Sequence, residues 1–254
     1  MDDTLKELLD RKVDQYERPD FIEADPISIP HRYTRRQDIE ITGLLASTIA
    51  WGNRKAIVKS AGEMADRLGA DPYDFVMSAT ESQVERLSDF VYRTFQKDDL
   101  PSMIRGLRQI YSADSEQGME KIFAPREGET LREGIIRFRE AMLPHIAERT
   151  RKHIADTGKG AAAKRLCMFA RWMVRPSARG VDFGLWRSIS PSKLIIPLDV
   201  HTGRTARSLG LLSRAQNDWK AAAELTSALA EMSPQDPVRY DFALFSIGIV
   251  EGGI

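Results

Sequence analysis

The chain has 254 residues, 42% hydrophobic and 29% charged, and its 37 basic and 37 acidic side chains cancel to a formal net charge of zero. That is the make-up of a globular protein able to bury a large core, in one domain or two lobes, and it excludes a polycation. No apolar run approaches the roughly 20 residues that a bilayer demands, so no membrane partner is expected. Met1-Asp2-Asp3-Thr4 is acidic and has no signal-peptide pattern, so a cytoplasmic location is expected. A single cysteine, Cys167, leaves no internal disulfide and no four-cysteine zinc or iron–sulfur site, and a buried, inert thiol is its expected state.

In chain order the reading is almost all helical. Residues 1–25 hold nine acids and four bases, and 26–30 read as extended. Residues 37–50 set Ile41, Leu44, Leu45 and Ile49 on one stripe, with Asp38 near the start. Residues 55–68 set Ile57, Ala61, Met64, Ala65 and Leu68 at three- and four-residue spacings and stop at Gly69. The pattern returns over 101–111 (Ile104, Leu107, Tyr111, with Pro101 in the first turn) and over 130–143 (Leu131, Ile135, Phe138, Met142). It appears again over 217–231 (Trp219, Ala223, Leu229) and about 237–249 (Val238, Phe242, Phe245, Ile249). Residues 114–118 and 124–128 read as polar breaks. Residues 176–192 read as the longest irregular connection, pinned by Trp186, and Pro191 and Pro197 argue against a strand over 187–198.

Three segments carry candidate chemistry. Gly158-Lys159-Gly160-Ala161-Ala162-Ala163-Lys164-Arg165 permits a tight turn before a helix over 162–174, whose first amides can bind a phosphate or merely connect two helices. Residues 151–179 hold eight Lys or Arg against one acid, Asp156, which suits either a phosphate-binding stripe or a solvated face. Ile195-Ile196-Pro197-Leu198-Asp199-Val200-His201 delivers one acid to the start of a helix, with Arg204 and Arg207 following.

These segments resemble the helix-hairpin-helix (HhH-GPD) DNA glycosylases. Gly160-Ala-Ala-Ala-Lys164 stands in the place of their Gly-x-Gly-x-Lys hairpin, and Pro197-Leu-Asp199-Val-His201 in the place of their Pro-Val-Asp-x-His. Glu40 to Asn53 resembles their early helix and DNA-probing loop, and Tyr240 to Gly248 their closing helix, so the likeness covers roughly 36–250 in the right order. Lys164-Arg-Leu-Cys-Met-Phe-Ala-Arg-Trp-Met-Val-Arg175 and Ser190-Pro-Ser-Lys-Leu-Ile-Ile-Pro-Leu-Asp199 resemble more closely a bacterial family catalogued as a conserved domain of unknown function and linked to antiphage DNA glycosylases. The chain departs from the glycosylase pattern at Ala162, which replaces the second hairpin glycine. It departs again in the 34 residues between Lys164 and Asp199, where 176–192 reads as an insert able to reshape the base pocket.

The resemblance implies an all-α, two-lobed helical domain over 1–254, with hairpin and catalytic segment at about 155–212. It implies a monomeric enzyme that excises a modified base from double-stranded DNA, the best match being glucosylated hydroxymethylcytosine of phage DNA, in antiviral defence. No cofactor is expected beyond a structural monovalent cation at the hairpin. Asp199 would stabilise positive charge on the sugar or activate water, and it would also serve as a helix N-cap. Lys164 is either a Schiff-base nucleophile, which would add AP lyase activity, or a phosphate-contacting or solvated lysine.

Gly160, Ala162, Arg165, His201, Arg204, Trp51, Asn53 and Arg54 are the DNA-contact candidates, with Asn53 or Trp51 as the wedge behind a flipped base. His201 can equally orient Asp199 or be structural, and Trp51 can equally be core. His31 and Tyr33, in the cluster with Arg32, Arg35 and Arg36, are pocket candidates or surface loop. Phe169 and Trp172 are pocket aromatics or core. The competing functions are a non-catalytic DNA-binding protein, a repair glycosylase for another damaged base, and a helical scaffold unrelated to nucleic acid.

Overall fold

The computed structural model describes residues 3–250. Met1 and Asp2 of the acidic opening lie outside the described residues, as do residues 251–254 of the expected 1–254 domain. The described residues form thirteen α-helices and no β-strand. The helices are α1 Asp3–Tyr16, α2 Asp20–Glu23, α3 Arg36–Thr48, α4 Arg54–Leu68, α5 Pro72–Ser78, α6 Glu81–Glu85, α7 Asp99–Ala113, α8 Gly118–Phe123, α9 Leu131–Met142, α10 Lys164–Val174, α11 Val200–Ser208, α12 Trp219–Met232 and α13 Asp241–Phe245. The all-α expectation holds. The chain divides into two compact units, one of residues 3–21, 125–132 and 156–250, the other of residues 22–124 and 133–155.

The unit of residues 22–124 and 133–155 is built on α3, which packs on α4 and α5. The spacing predicts one apolar stripe, yet every α3 residue from Asp38 to Thr48 is buried. This is tolerated because its polar groups are bonded in place. Thr42 Oγ1 donates to the Asp38 carbonyl at 2.6 Å and the Tyr73 N–H to the Asp38 carboxylate at 2.7 Å. Glu40 accepts from the Tyr111 hydroxyl at 2.6 Å and from Arg36 Nε at 2.9 Å. Helix α4 buries all five predicted residues, with Asn53 as its N-cap accepting from the Ala56 N–H at 3.1 Å.

Two stretches of this unit differ from expectation. Residues 26–30 are not extended. They form 3₁₀ turns at Pro26–Ser28 and Pro30–Arg32, each opened by a proline, and the Asp25 side chain caps the first through the Ile27 N–H. Helix α8 lies between the two polar breaks and has only six residues, too few for periodicity to show.

In the other unit α1 and α11 pack on α13. The closing segment, expected as one helix, is three pieces: a 3₁₀ turn Pro237–Tyr240, α13, and a π turn Ser246–Val250. The widened turn brings Gly248 so near α11 that a Cβ there would sit 2.6 Å from Thr205 Oγ1. Val238 and Phe242 are buried as expected, but Ile249 is exposed. The 176–192 connection is ordered against the end of α10. Phe183 and Trp186 N–H groups donate to the Trp172 and Met173 carbonyls at 2.8 and 2.9 Å, satisfying acceptors that a helix terminus leaves open. Trp186 is fully buried, edge-on to Phe169 with centroids 5.3 Å apart, and is the pin the sequence suggests.

Candidate active site

Asp199 stands where a buried apolar run meets a helix. Ile195, Ile196 and Leu198 are buried, and the Ile196 N–H donates to Thr226 Oγ1 at 3.0 Å, anchoring the run to α12. Asp199 then takes the N-cap of α11 with an extended backbone. Its Oδ1 accepts from the His201 N–H at 2.9 Å and the Thr202 N–H at 3.0 Å. Its Oδ2 lies 3.3 Å from Lys164 Nζ. The capping bonds and the Lys164 contact are therefore divided between the two oxygens of one carboxylate. Burial acts to raise the Asp199 pKa, but the Lys164 charge and the Thr202 N–H outweigh it and hold the carboxyl below its usual range.

Lys164 is the first residue of α10, entered through a tight turn. Lys159 N–H donates to Asp156 Oδ1 at 3.1 Å, Gly160 N–H to the Thr157 carbonyl at 3.1 Å, and Ala161 N–H to the Asp156 carbonyl at 3.1 Å. Gly160 has φ of +89°, and so the expected turn glycine takes a left-handed conformation. Ala162 is not the second such position. Ala163 is, with φ of +52° at the α10 N-cap and no side-chain capping bond. A non-glycine residue there costs on the order of 1 kcal/mol and persists only where neighbours hold it.

Behind this pair lies a buried ion network that corrects the basic stripe. Arg171 and Arg175 are each only 4% exposed and are not available to a phosphate. Arg171 Nη1 meets Asp241 Oδ2 at 2.5 Å and its Nε lies 3.4 Å from Asp182. Arg175 meets Asp182 at 2.6 Å, Glu17 at 2.7 Å and Asp236 at 3.0 Å. Lys164 and Arg171 lie on one face of α10, seven residues apart, and Arg175 follows as its C-cap, so one helix and its cap offer one cation to Asp199 and bury two. Burial raises the Asp241 pKa, and the charges of Arg171 and Lys164 oppose it. Burial also pushes the Cys167 thiol up, which fits the expected inert cysteine. Arg151 and Lys152 belong to the other unit.

The remaining candidates fall in two groups. With Asp199 and Lys164, in the same unit, are Gly160, Ala162, Arg165, His201 and Arg204. His201 and Arg204 are exposed on α11, while Arg165 is half-buried and its guanidinium is pulled down to about 10 by burial. Phe169 and Trp172 share this unit and are fully buried.

Trp51, Asn53, Arg54, His31 and Tyr33 belong to the other unit. Trp51 is half-buried and stacked on His153, whose ring nitrogen is 3.0 Å from the buried Asp99. Arg54 pairs with Asp25 at 2.6 Å. His31 is exposed. Around it Arg32 pairs with Asp66 and Arg35 with Asp74, so acids largely neutralise the basic-aromatic cluster. No group of three or more His, Cys, Asp or Glu among the described residues is placed to hold a metal ion.

Sequence reasoning missed Asn217, whose Nδ2 donates to the Asp199 carbonyl at 3.0 Å, as well as Asp182 and Asp241. An acid inside the apolar run Tyr240-Asp241-Phe242-Ala243-Leu244-Phe245 is a signal that could have found Asp241. Asn217 carries no local signal.

Residues 25–250 match the model of a family described as protein of unknown function (DUF2400), and the chain belongs to that family. No curated protein and no solved structure matches it.

Proposed function

We propose that this member of the family is a DNA N-glycosylase, which draws a modified base out of duplex DNA and cuts its bond to C1′, leaving an abasic site. The observation that carries the reading is the pairing of Lys164 Nζ with Asp199 Oδ2 at 3.3 Å, both side chains partly exposed at 30% and 26%. It joins the helix that follows the Gly160–Ala163 turn to the helix that Asp199 caps, the two elements the resemblance assigns to the chemistry.

Loss of a base builds positive charge on the deoxyribose, as in glycoside hydrolysis. Asp199 supplies a carboxylate that is held ionised, and Oδ2 is the oxygen the cap does not use. That oxygen stabilises the developing charge or accepts the proton of an attacking water. Lys164 contributes a positive charge beside it. If the Lys164 amine first passed a proton to Asp199 and then attacked C1′, the base would leave with the electrons of its bond to C1′, and opening of the C1′–O4′ bond would give a Schiff base open to strand cleavage. The first amides of α10 suit a phosphate of the bound strand. The resemblance to antiphage glycosylases makes glucosylated hydroxymethylcytosine the substrate to test first.

The test is base release, read by mass spectrometry, from phage DNA carrying glucosylated hydroxymethylcytosine beside unmodified DNA. Release from the modified DNA alone, lost in Asp199→Asn, is the expected result. A borohydride-trapped adduct that disappears in Lys164→Ala would mark Lys164 as a nucleophile. No release from either DNA, with salt-dependent binding intact, would favour a DNA-binding protein without chemistry, a reading that rests on Asp199 being a complete N-cap already.

A further inference from the structure

We infer that Asn217 is a positioning residue for Asp199, the joint of a strap formed by residues 214–219 that sets the separation of Lys164 and Asp199. The inference deepens the glycosylase reading and rests on it only for its activity readout.

The strap is bonded to Asp199 and to the turn that leads into Lys164. Toward Asp199, Asn217 Nδ2 donates to the backbone carbonyl at 3.0 Å, the same oxygen that accepts the Gly203 N–H at 2.9 Å and so begins α11. Toward α11, Arg207 Nη2 donates to Asn217 Oδ1 at 2.7 Å and to the Arg214 carbonyl at 2.7 Å, joined there by Nε at 2.9 Å. Both ends of the Asn217 amide are thus engaged, and the chemistry of the two partners fixes which end is which. Toward Lys164, the Trp219 N–H donates to the Gly160 carbonyl at 2.9 Å, and Ala161 and Asp218 form an antiparallel bridge. The turn that delivers Lys164 and the helix that begins at Asp199 are therefore tied to the same six residues.

Gly203 gives a second observation. A Cβ at Gly203 would fall 2.6 Å from Asn217 Oδ1 and 2.9 Å from Arg207 Nη1, so α11 keeps a bare backbone where the amide seats. Asn217 is itself exposed and lies outside the apolar core, so its loss should act on alignment more than on folding. Misplacing a reacting group by about 1 Å can cost on the order of a hundredfold in rate.

The experiment compares the full-length protein with Asn217→Ala, Asn217→Asp and Gly203→Ala. Asn217→Asp keeps an acceptor for Arg207 and removes the donor to Asp199. One readout is single-turnover base release with DNA affinity measured beside it. The other is the titration of the Asp199 carboxylate followed by carbon NMR, which needs no DNA. All three variants are expected to melt near the wild-type temperature and bind DNA within about threefold of it, while releasing base roughly 10- to 100-fold more slowly. In Asn217→Ala and Gly203→Ala the Asp199 titration should move upward as Lys164 is no longer held beside it, whereas Asn217→Asp adds a nearby negative charge that raises it by itself. Wild-type rate and titration in both Asn217 variants would overturn the inference, as would a lowered melting temperature with the titration unmoved. If the wild type releases no base at all, the glycosylase reading fails, and the titration alone still decides whether Asn217 positions Asp199.

Discussion

Asp199 and Asp218 are two aspartates in nearly the same local setting with different capacities. Each is the N-cap of a helix, with φ, ψ of −124°, −169° at Asp199 and −119°, −174° at Asp218, and each has a basic neighbour. At Asp218 the Arg214 fork takes both oxygens, Nε on Oδ1 at 2.8 Å and Nη2 on Oδ2 at 2.5 Å, and the Ala221 N–H adds a third bond to Oδ1. That carboxylate sits far below the usual range because of the Arg214 bonds, and both of its oxygens are engaged. At Asp199 both capping bonds fall on one oxygen and the other meets a single amine at 3.3 Å. A lysine is a point charge on a flexible stem, where an arginine is a rigid fork. The difference teaches that an N-cap aspartate keeps an oxygen for a further partner when its second oxygen is not locked by a fork.

The largest expected effect breaks this comparison at Asp199. Asparagine caps a helix about as well as aspartate, so Asp199→Asn should fold and melt like the wild type. It removes the charge that, on the proposed glycosylase reading, steadies the sugar cation. Base release is expected to fall about a thousandfold, within the range for a lost general base, with DNA affinity retained. Full activity in single-turnover assays would remove Asp199 from the chemistry.

Next comes the network behind Lys164. Arg171→Met fills a similar volume but leaves Asp182 and Asp241 without the guanidinium between them. Removing one partner of a buried pair costs about 3–5 kcal/mol, and urea unfolding should register a loss of that order. A loss under about 1 kcal/mol would mean that the network contributes little. The same variant tests the corrected reading of the basic stripe, because a phosphate contact at Arg171 would appear as a flatter salt dependence of DNA binding with stability unchanged.

These two sites also show what the chain makes legible before folding. Repeating apolar spacings place α4, α7 and α9 almost residue for residue, since each buries a face fixed by local period. The acid closing Ile195-Ile196-Pro197-Leu198 reads as a cap, and it is one. The encounter of Asp199 with Lys164 is not local, and only the resemblance anticipates it. Arg171 meets Asp241 across 70 positions and Arg175 meets Glu17 across 158, and no spacing rule reaches that far. Charge counting therefore assigned to the surface two arginines that the fold buries. Helix α8 and the 3₁₀ turns at 26–32 are too short to show a period, and Asn217 is a lone polar residue in a loop.

A smaller effect is expected from pH. The Asp199 pKa is lowered in the fold, so the stability this group adds is full above the ordinary carboxylate value of about 4 and is lost as pH falls through the lower folded value. Base release should therefore be flat, as far as Asp199 governs it, between about pH 5 and 7. In Lys164→Met the opposing attraction is gone while burial remains, and the carboxylate titration should rise, carrying the acid limb of any residual activity upward. An unmoved titration would mean that Lys164 does not govern the charge of Asp199.

The smallest effect sharpens the comparison from the other side. Asp218→Asn keeps the cap of α12 through the Ala221 N–H and gives up the fork to Arg214. The bridge to Ala161 runs through backbone and survives the change. An ion pair this open to solvent contributes little, so stability should fall only slightly, and base release by less than about threefold. If Asp218→Asn lost activity as Asp199→Asn does, the two caps would be equivalent as far as chemistry goes, and a free second oxygen would not be what distinguishes Asp199. If stability falls slightly and base release holds, the contrast between a forked and an open carboxylate stands as the reason that one of two like caps is available to a substrate.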